Sequence, residues 1–431
     1  MKNSNKIKHQ NNSIQALSDL LFNLKDWFIY LALFSYPFSI LLNNIFFGLA
    51  FLIILFLNIK GRVKYKIDIR DWIFVLLPLI YIHVVLFTML YEGNANFIYI
   101  EKYFSFLFFP VVFLLYSRIS SISVLIKRIN YVIIASSFSL ATICLVAHIY
   151  KFILNDISFK LFTNWEYTNM NFTAPVGLHT TYAGLWVLLG LILIFELNRR
   201  QSKFRKVVLI LPVIFFIAFI LLSSSRVIIG CTIIYFLSKY IILIIELVKQ
   251  KKYLKITVSL ILILICTLAL AQNISVVKWR FLELSYNLFE QDYSKISYGG
   301  LKIRLIIWEC SISEILKSPF LGGYIGEVGN RLNNCYDDFN FVYGQSQGYG
   351  AHNQYLSMAL NFGLFGLFVL IFLLVKTFLI YLRLHKQYSF IILIFAVCFL
   401  VESMLSVQKG IVLWTFFTSI ALGLNMQNKK L

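Results

Sequence analysis

Charged side chains are scarce in this sequence. Only 13% of the residues are Asp, Glu, Lys or Arg, whereas 60% are hydrophobic. In soluble globular domains about a quarter of all residues are charged. The composition therefore excludes an ordinary soluble protein and indicates an integral membrane protein. A cleavable signal sequence is not visible, because the first apolar run follows roughly 25 polar residues and no small-residue cleavage site comes after it. We therefore expect the first apolar helix to remain as an anchor.

Cysteine pairs at redox or metal-binding spacing are also missing. The six cysteines include no Cys-x-x-Cys pair, and four of them fall inside long apolar runs, where small apolar packing is expected: Cys144, Cys231, Cys266 and Cys398. Cys310 and Cys335 lie in more polar chain. They either form a disulfide in an oxidising compartment or remain two free thiols.

Apolar runs near the ~20 residues that a helix needs to cross a bilayer recur along the chain. We count twelve: 26–41, 43–59, 72–91, 101–117, 130–153, 176–197, 207–223, 226–247, 255–273, 351–375, 388–405 and 410–426. The predicted fold class is therefore an all-α integral membrane protein of about 12 transmembrane helices. Most of the 39 Lys and Arg residues fall in alternate loops, which places both termini in the cytoplasm. The net charge of +20 thus reflects topology, and we expect no nucleic-acid partner.

The chain divides at one long segment that is predicted to lie outside the cytoplasm. The order is a cytoplasmic N-terminal segment (1–25), helices 1–9 (26–273), a large outside loop (274–350), helices 10–12 (351–426) and a cytoplasmic tail (427–431). The stretch "GLKIRLIIWECSISEILKSPFLGG" in this loop predicts an amphipathic helix, because Leu301, Leu305, Trp308, Ile312 and Ile315 recur at spacings of four and three. Pro319, Gly322 and Gly323 are expected to end it. Such a helix lies on the membrane surface or caps the bundle.

Ionisable and polar residues gather at the outside ends of the predicted spans. The set comprises His179, Arg226, Arg304, His352 and Asn353. Such residues at membrane level are costly and often functional. Each also has a structural alternative, since a terminal His can be an interfacial anchor and a lone Arg can contact lipid headgroups. Gly363 and Gly366 fit a close helix-packing face, and His83 and His148 within spans fit core hydrogen bonding.

The order of these motifs resembles the family of O-antigen ligases and O-antigen polymerases. His352 and Asn353 are followed after nine residues by Gly363 and then by Gly366, as in the family signature. Arg226 in "SSSR", the stretch "RLIIWECSISEILKSPFLGGYIGEVGN", and "ESMLSVQKG" with Glu402 and Lys409 also resemble family features. The likeness covers residues 176–426 well, and the first half mainly through topology.

The resemblance implies transfer of a glycan from a polyprenyl (undecaprenyl) pyrophosphate carrier to an acceptor hydroxyl, such as lipid A-core. It implies a site on the periplasmic side of the bacterial cytoplasmic membrane. His352 is the candidate base, because an imidazole titrates near neutrality. Arg226 and Arg304 are the candidate cations for the pyrophosphate, since guanidinium groups offer a fixed fork of donors. Candidate substrate-binding residues are Asn353, His179, Lys409 and Trp308.

The expected partners are the lipid-linked donor, a lipid A-core or glycan acceptor, and membrane lipids, with neither cofactor nor metal. No cluster of acidic residues at metal-ligand spacing occurs in the segments predicted outside, and the adjacent Asp337 and Asp338 fit solvation. A repeat-unit polymerase is the first alternative, although no tested Arg has a Gly eleven positions on, as some polymerases do. A lipid-linked sugar transporter or flippase is the second, although transporters usually place polar groups near the bilayer midplane.

The predicted topology is tested by single cysteines introduced as Ser202→Cys and Ser346→Cys. In intact cells, a membrane-impermeant maleimide should label the second variant above the background of the unaltered chain and leave the first unlabelled. Labelling of Ser202→Cys would overturn the topology.

Overall fold

The computed structural model describes residues 2–61, 63, 73–92, 97–198, 209–255, 257–258, 292–296 and 300–428. All regular structure within these ranges is helical, and they contain no strand. The predicted all-α class is thus confirmed. The helices are α1 (Lys2–Ser35), α2 (Ile40–Ile59), α3 (Ile73–Glu92), α4 (Phe97–Tyr103), α5 (Ser105–Ile119), α6 (Ile122–Leu154), α7 (Met170–Thr173), α8 (Thr180–Asn198), α9 (Ile210–Ser223), α10 (Arg226–Lys249), α11 (Gly300–Lys317), α12 (Ile325–Asp338), α13 (Val342–Gln347), α14 (Gln354–Leu384), α15 (Lys386–Val401) and α16 (Gln408–Asn428).

Seven helical stretches in the described ranges are long and apolar enough to cross a membrane: Ile40–Ile59, Phe97–Ile119, Ile122–Leu154, Thr180–Leu197, Arg226–Lys249, Gln354–Leu384 and Gln408–Asn428. Shorter apolar helices occupy Val75–Leu90, Ile210–Ser223 and Lys386–Val401. The predicted ninth span, 255–273, and the start of the long loop lie largely outside the described residues. The count of twelve therefore stays a prediction.

Two predicted spans end earlier than the sequence pattern indicated. The first was expected to run to residue 41, but α1 ends at Ser35 and a turn follows. The eleventh was expected to run to residue 405, but α15 ends at Val401. Glu402 stands at this end in an extended conformation, with φ −142° and ψ 137°. The apolar run masks the break because Met404 and Leu405 beyond it are also buried.

Helices α8 and α16 occupy the centre of the bundle. Almost every residue of α16 is buried, and Trp186 of α8 and Trp414 of α16 are fully enclosed. A helix that is apolar on all sides belongs in such a position. Helix α16 packs against α5 and α14, and α8 packs against α6 and α9. The outer helices instead carry many exposed Leu, Ile and Phe side chains, as lipid-facing helices do.

The amphipathic helix expected in the long loop is present as α11, but of the expected face only Trp308 and Ile315 pack on the protein, at the edge of a small cluster. Leu301, Leu305 and Ile312 are exposed. The opposite face is buried against α12 and nearby chain, in a small cluster that includes Ile303, Ile306, Ile307 and Cys310 from α11 and Leu332, Cys335 and Tyr336 from α12. Because α11 is apolar on both faces, spacing alone does not indicate which one the protein covers.

The question left open for Cys310 and Cys335 is answered by a disulfide between them, with Cα atoms 5.7 Å apart. The bond joins α11 to α12 within the small cluster. A second link is the buried Glu314, whose carboxylate accepts from Arg331 Nε at 3.0 Å. These two links make α11 and α12 one unit.

Helix α14 is broken at Gly363, which has φ 64° and ψ −165°, a conformation open almost only to glycine. The loop after α11 fills the break: Leu364 N–H donates to Pro319 O at 2.7 Å, and Gly323 N–H donates to Leu360 O at 2.8 Å. The sequence predicted close packing at Gly363, and the structure has it. The packing partner, however, is the backbone of a loop and not another helix.

His83 of α3 also contacts this loop and donates from Nε2 to Leu321 O at 3.1 Å. His148 contacts Phe162 O at the same distance. Both histidines therefore hydrogen-bond to backbone, as the sequence predicted.

We expect Gly363→Ala to destabilise the protein by on the order of 3 kcal/mol. An added Cβ would lie 2.1 Å from Phe320 O, and the backbone conformation disfavours any L side chain. Gly230→Ala in α10 is the matched control, because a Cβ there meets nothing within 4 Å. Thermal unfolding in detergent measures both. Equal melting temperatures for the two variants would contradict the docked-loop structure.

Candidate functional site

A cavity of about 770 Å³ opens at the end of the bundle that the sequence predicts to face outside. It lies between the end of α4, the starts of α8, α12, α14 and α16, and the non-helical segment between α15 and α16. Its polar and charged lining residues are Tyr99, Lys102, Tyr103, His179, Tyr182, His352, Ser357, Asn361, Glu402, Ser403, Ser406, Gln408 and Lys409.

His352 stands immediately before α14 and lines this cavity. Its backbone is left-handed, with φ 45°, which costs a non-glycine residue about 1 kcal/mol. The ring packs edge-on against Tyr349, with centroids 5.4 Å apart. Its Nδ1 atom is 3.8 Å from Glu402 Oε2, and the His352 side chain is 37% exposed. A strained, partly exposed imidazole beside a carboxylate has the arrangement of an oriented base.

Glu402 is the acidic member of this pair, and its side chain is 26% exposed. Burial raises the pKa of Glu402, but the nearby imidazole of His352, followed by the charges of Arg304 and His179, outweighs burial and leaves the pKa below its ordinary value. Glu402 is therefore ionised at neutral pH.

Arg304 lies behind the pair and does not line the cavity. Its Nη1 donates to the carbonyl of Val401 and, at 3.5 Å, to the carbonyl of His352. Burial lowers the pKa of Arg304, and the charge of Glu402 opposes that shift. One guanidinium from α11 thus joins the two backbone segments that carry Glu402 and His352.

Asn353 is the N-cap of α14. Its Oδ1 accepts from Tyr355 N–H at 2.9 Å and from Leu356 N–H at 3.2 Å, and its own N–H donates to Ser403 Oγ at 3.2 Å. The side chain is buried and is absent from the cavity wall. These contacts fix where α14 begins and therefore where His352 stands.

The remaining predicted residues divide between the cavity and its surroundings. His179 and Lys409 line the cavity. Arg226 begins α10 and is exposed; the preceding Ser225 has its Oγ 3.4 Å from Thr181 Oγ1, two positions after His179. Trp308 belongs to the cluster between α11 and α12, and its buried Nε1 has no hydrogen-bond partner in the described part of the chain. Neither Arg226 nor Trp308 is on the cavity wall.

The segment 402–409 is held by side chains from three other elements. Tyr182 Oη donates to Met404 O at 3.2 Å, Tyr36 Oη donates to Lys409 O at 2.9 Å, and Gln354 Oε1 accepts from Leu405 N–H at 2.6 Å. These contacts replace the helical hydrogen bonds that the chain gives up between α15 and α16. They place Glu402 and Lys409 on the wall of one cavity.

Sequence reasoning missed Lys102 and gave Glu402 no defined role. Lys102 lines the cavity near the end of α4. The sequence did contain an indication of its role. Lys102 lies at the predicted outside end of an apolar run, where the positive-inside rule predicts few basic residues. Among the described residues no group of three or more His, Cys, Asp or Glu side chains is placed to hold a metal ion. Metal independence stays a prediction.

Comparison with protein-family models matches residues 211–371 to the family described as O-antigen ligase. The matched range contains Arg226, Arg304, His352 and the break at Gly363. This match confirms the resemblance indicated by the motifs, and residues 211–371 are similar to the O-antigen ligase family. Glu402 and Lys409 lie beyond the matched range. A search of curated proteins found no match to the chain.

Replacing Glu402 should alter the acid stability of the protein. Because the pKa of Glu402 is lowered on folding, its ionised form stabilises the fold above the ordinary Glu pKa of about 4.3, and this contribution is lost as the pH falls through the lower folded-state pKa. Melting temperatures measured from neutral to acid pH should therefore fall more steeply for the unaltered protein than for Glu402→Gln. Glu309→Gln, on the exposed face of α11, is the control and should follow the unaltered protein. Parallel curves for Glu402→Gln and the unaltered protein would contradict the assignment.

Proposed function

We propose that this protein transfers a glycan from a polyprenyl pyrophosphate carrier to an acceptor hydroxyl, with lipid A-core as the favoured acceptor. The observation that carries the proposal is the His352–Glu402 pair on the wall of a large cavity, beside a region that matches the O-antigen ligase family. The cavity has room for a sugar together with a phosphate group, since ligand pockets commonly measure about 300–1,000 Å³.

The reaction joins the acceptor oxygen to the anomeric carbon of the donor glycan. The acceptor hydroxyl gives its proton to His352 as its oxygen attacks that carbon. The bond from the anomeric carbon to the pyrophosphate oxygen breaks, and its electron pair leaves with the polyprenyl pyrophosphate. Glu402 orients the imidazole and stabilises the imidazolium that forms, which is the usual contribution of a carboxylate behind a histidine base.

The other predicted residues support this chemistry from different distances. Arg304 is a positioning residue, because it donates to the backbone carbonyls on both sides of the pair. Asn353 positions His352 through the α14 cap. His179 and Lys409 contact substrate in the cavity. Arg226, exposed at the start of α10, contacts the outer part of the donor or its phosphates, and Trp308 secures α11 beneath the site.

We place the site on the periplasmic side of the bacterial cytoplasmic membrane, with both termini in the cytoplasm. The alternation of basic loops supports this orientation. The Cys310–Cys335 disulfide supports it independently, because disulfides persist in oxidising compartments and are rare in the cytosol.

A repeat-unit polymerase performs the same chemistry on a glycan acceptor and is the first alternative. The absence of the Arg, ten residues, Gly pattern favours the ligase. A transporter or flippase is the second alternative, and the break in α14 is the feature that favours it, since transporters use broken helices. The break at Gly363, however, is filled by loop backbone, whereas Lys102, Glu402 and Lys409 line the cavity.

His352→Tyr should reduce glycan transfer by about 100-fold or more, because Tyr keeps an aromatic body and a polar tip but its pKa near ~10 makes it a poor base at neutral pH. Purified protein is assayed with a polyprenyl-pyrophosphate glycan and either lipid A-core or a second lipid-linked glycan, with and without chelator. His385→Tyr, at the other end of α14, is the control. Near-normal transfer by His352→Tyr would exclude the base assignment, loss of activity in chelator would exclude metal independence, and the preferred acceptor separates ligase from polymerase.

A further inference from the structure

Two lysines on the wall of the cavity have no acidic partner among the residues that the structure describes. Lys102 stands near the end of α4 and Lys409 near the start of α16, and these two helices pack against each other. Both side chains are half-buried. Lys102 Nζ lies 5.8 Å from the centroid of the Tyr103 ring. Across the described ranges, no Asp or Glu oxygen forms an ion pair with either ammonium group.

An ammonium group held partly out of water is costly unless an anion or hydrogen-bond acceptors surround it. The acidic residue of the cavity wall, Glu402, is already paired with His352. With Lys102 and Lys409 set against the single carboxylate of Glu402, the described cavity wall carries an excess of positive charge. That excess is satisfied by a ligand that brings negative charge into the cavity.

The arginines expected to bind such a charge are placed elsewhere. Arg304 is engaged with the carbonyls of Val401 and His352, and Arg226 lies away from the cavity wall. Among the described residues of the cavity wall, Lys102 and Lys409 are therefore the permanent cations that a ligand meets. Each offers three N–H donors and no acceptor, which suits phosphate oxygens.

We propose that Lys102 and Lys409 together bind the diphosphate group of a polyprenyl diphosphate in this cavity. The proposal rests on the proposed function for the identity of the ligand, and it assigns Lys102, on a helix outside the family match, a part in binding the donor. The two ammonium groups hold the diphosphate of the donor and then stabilise the charge that it gains when the bond to the glycan breaks.

Binding of farnesyl diphosphate to purified protein in detergent tests the proposal without requiring glycan transfer. Lys102→Gln and Lys409→Gln should each raise its Kd at least about ten-fold, the usual effect of losing a hydrogen bond to a charged group. Lys102→Arg should recover most of the affinity. Lys151→Gln, at the outer end of α6, is the matched control and should bind like the unaltered protein. Inorganic diphosphate should compete, whereas farnesol should not.

A second measurement uses the unaltered protein and does not depend on how the variants fold. Farnesyl diphosphate should protect Lys102 and Lys409 from acylation by an amine-reactive reagent, read by mass spectrometry, and should leave Lys151 unprotected. Phosphatidylglycerol is the comparison ligand for a membrane headgroup. Equal protection by phosphatidylglycerol would show that the lysines contact lipid headgroups and would overturn the proposal.

The outcomes separate this proposal from the proposed function. Unchanged Kd values in both Gln variants, or equal binding of farnesol, would overturn the lysine assignment even when the unaltered protein transfers glycan. Lysine-dependent diphosphate binding by a protein that transfers no glycan to either acceptor would support the lysine site and overturn the proposed transferase.

Discussion

Every residue that leaves helical geometry inside this apolar bundle must find new partners for its backbone N–H and C=O groups, because hydrocarbon supplies none. The structure meets this requirement at two breaks. At Gly363, the loop after α11 inserts its own backbone into α14. At residues 402–409, side chains of Tyr36, Tyr182 and Gln354 take the place of helical partners. The second break carries part of the candidate site, and the first anchors the helix that supports it.

The sequence predicts the parts of this architecture that depend on regular apolar patterning. The all-α class, the end of α11 before Pro319 and the gathering of His179, His352 and Lys409 at one end follow from run lengths, helix-ending residues and loop charge. The breaks do not follow, since Met404 and Leu405 continue the apolar pattern after the helix has stopped. Nor does the orientation of α11, because both of its faces are apolar.

The candidate site shows the same division between pattern and tertiary contact. The motif identified His352 and Arg304, but it contains nothing that says that Arg304 lies behind the cavity wall and does not line it. The motifs did not identify Lys102, because it is distant in sequence from all of them. It lines the cavity only because α4 packs on α16. The role of Glu402 follows from the structure alone, because the end of α15 places its carboxylate 3.8 Å from His352.

The guanidinium of Arg304 bonds to carbonyls on two segments that are 49 residues apart in the chain, His352 and Val401. Because both acceptors are backbone carbonyls, any residue at 352 or 401 still offers them, whereas a substitution of Arg304 releases both segments at once. Across diverging relatives, the counterparts of Arg304, His352 and Glu402 should be kept together or lost together.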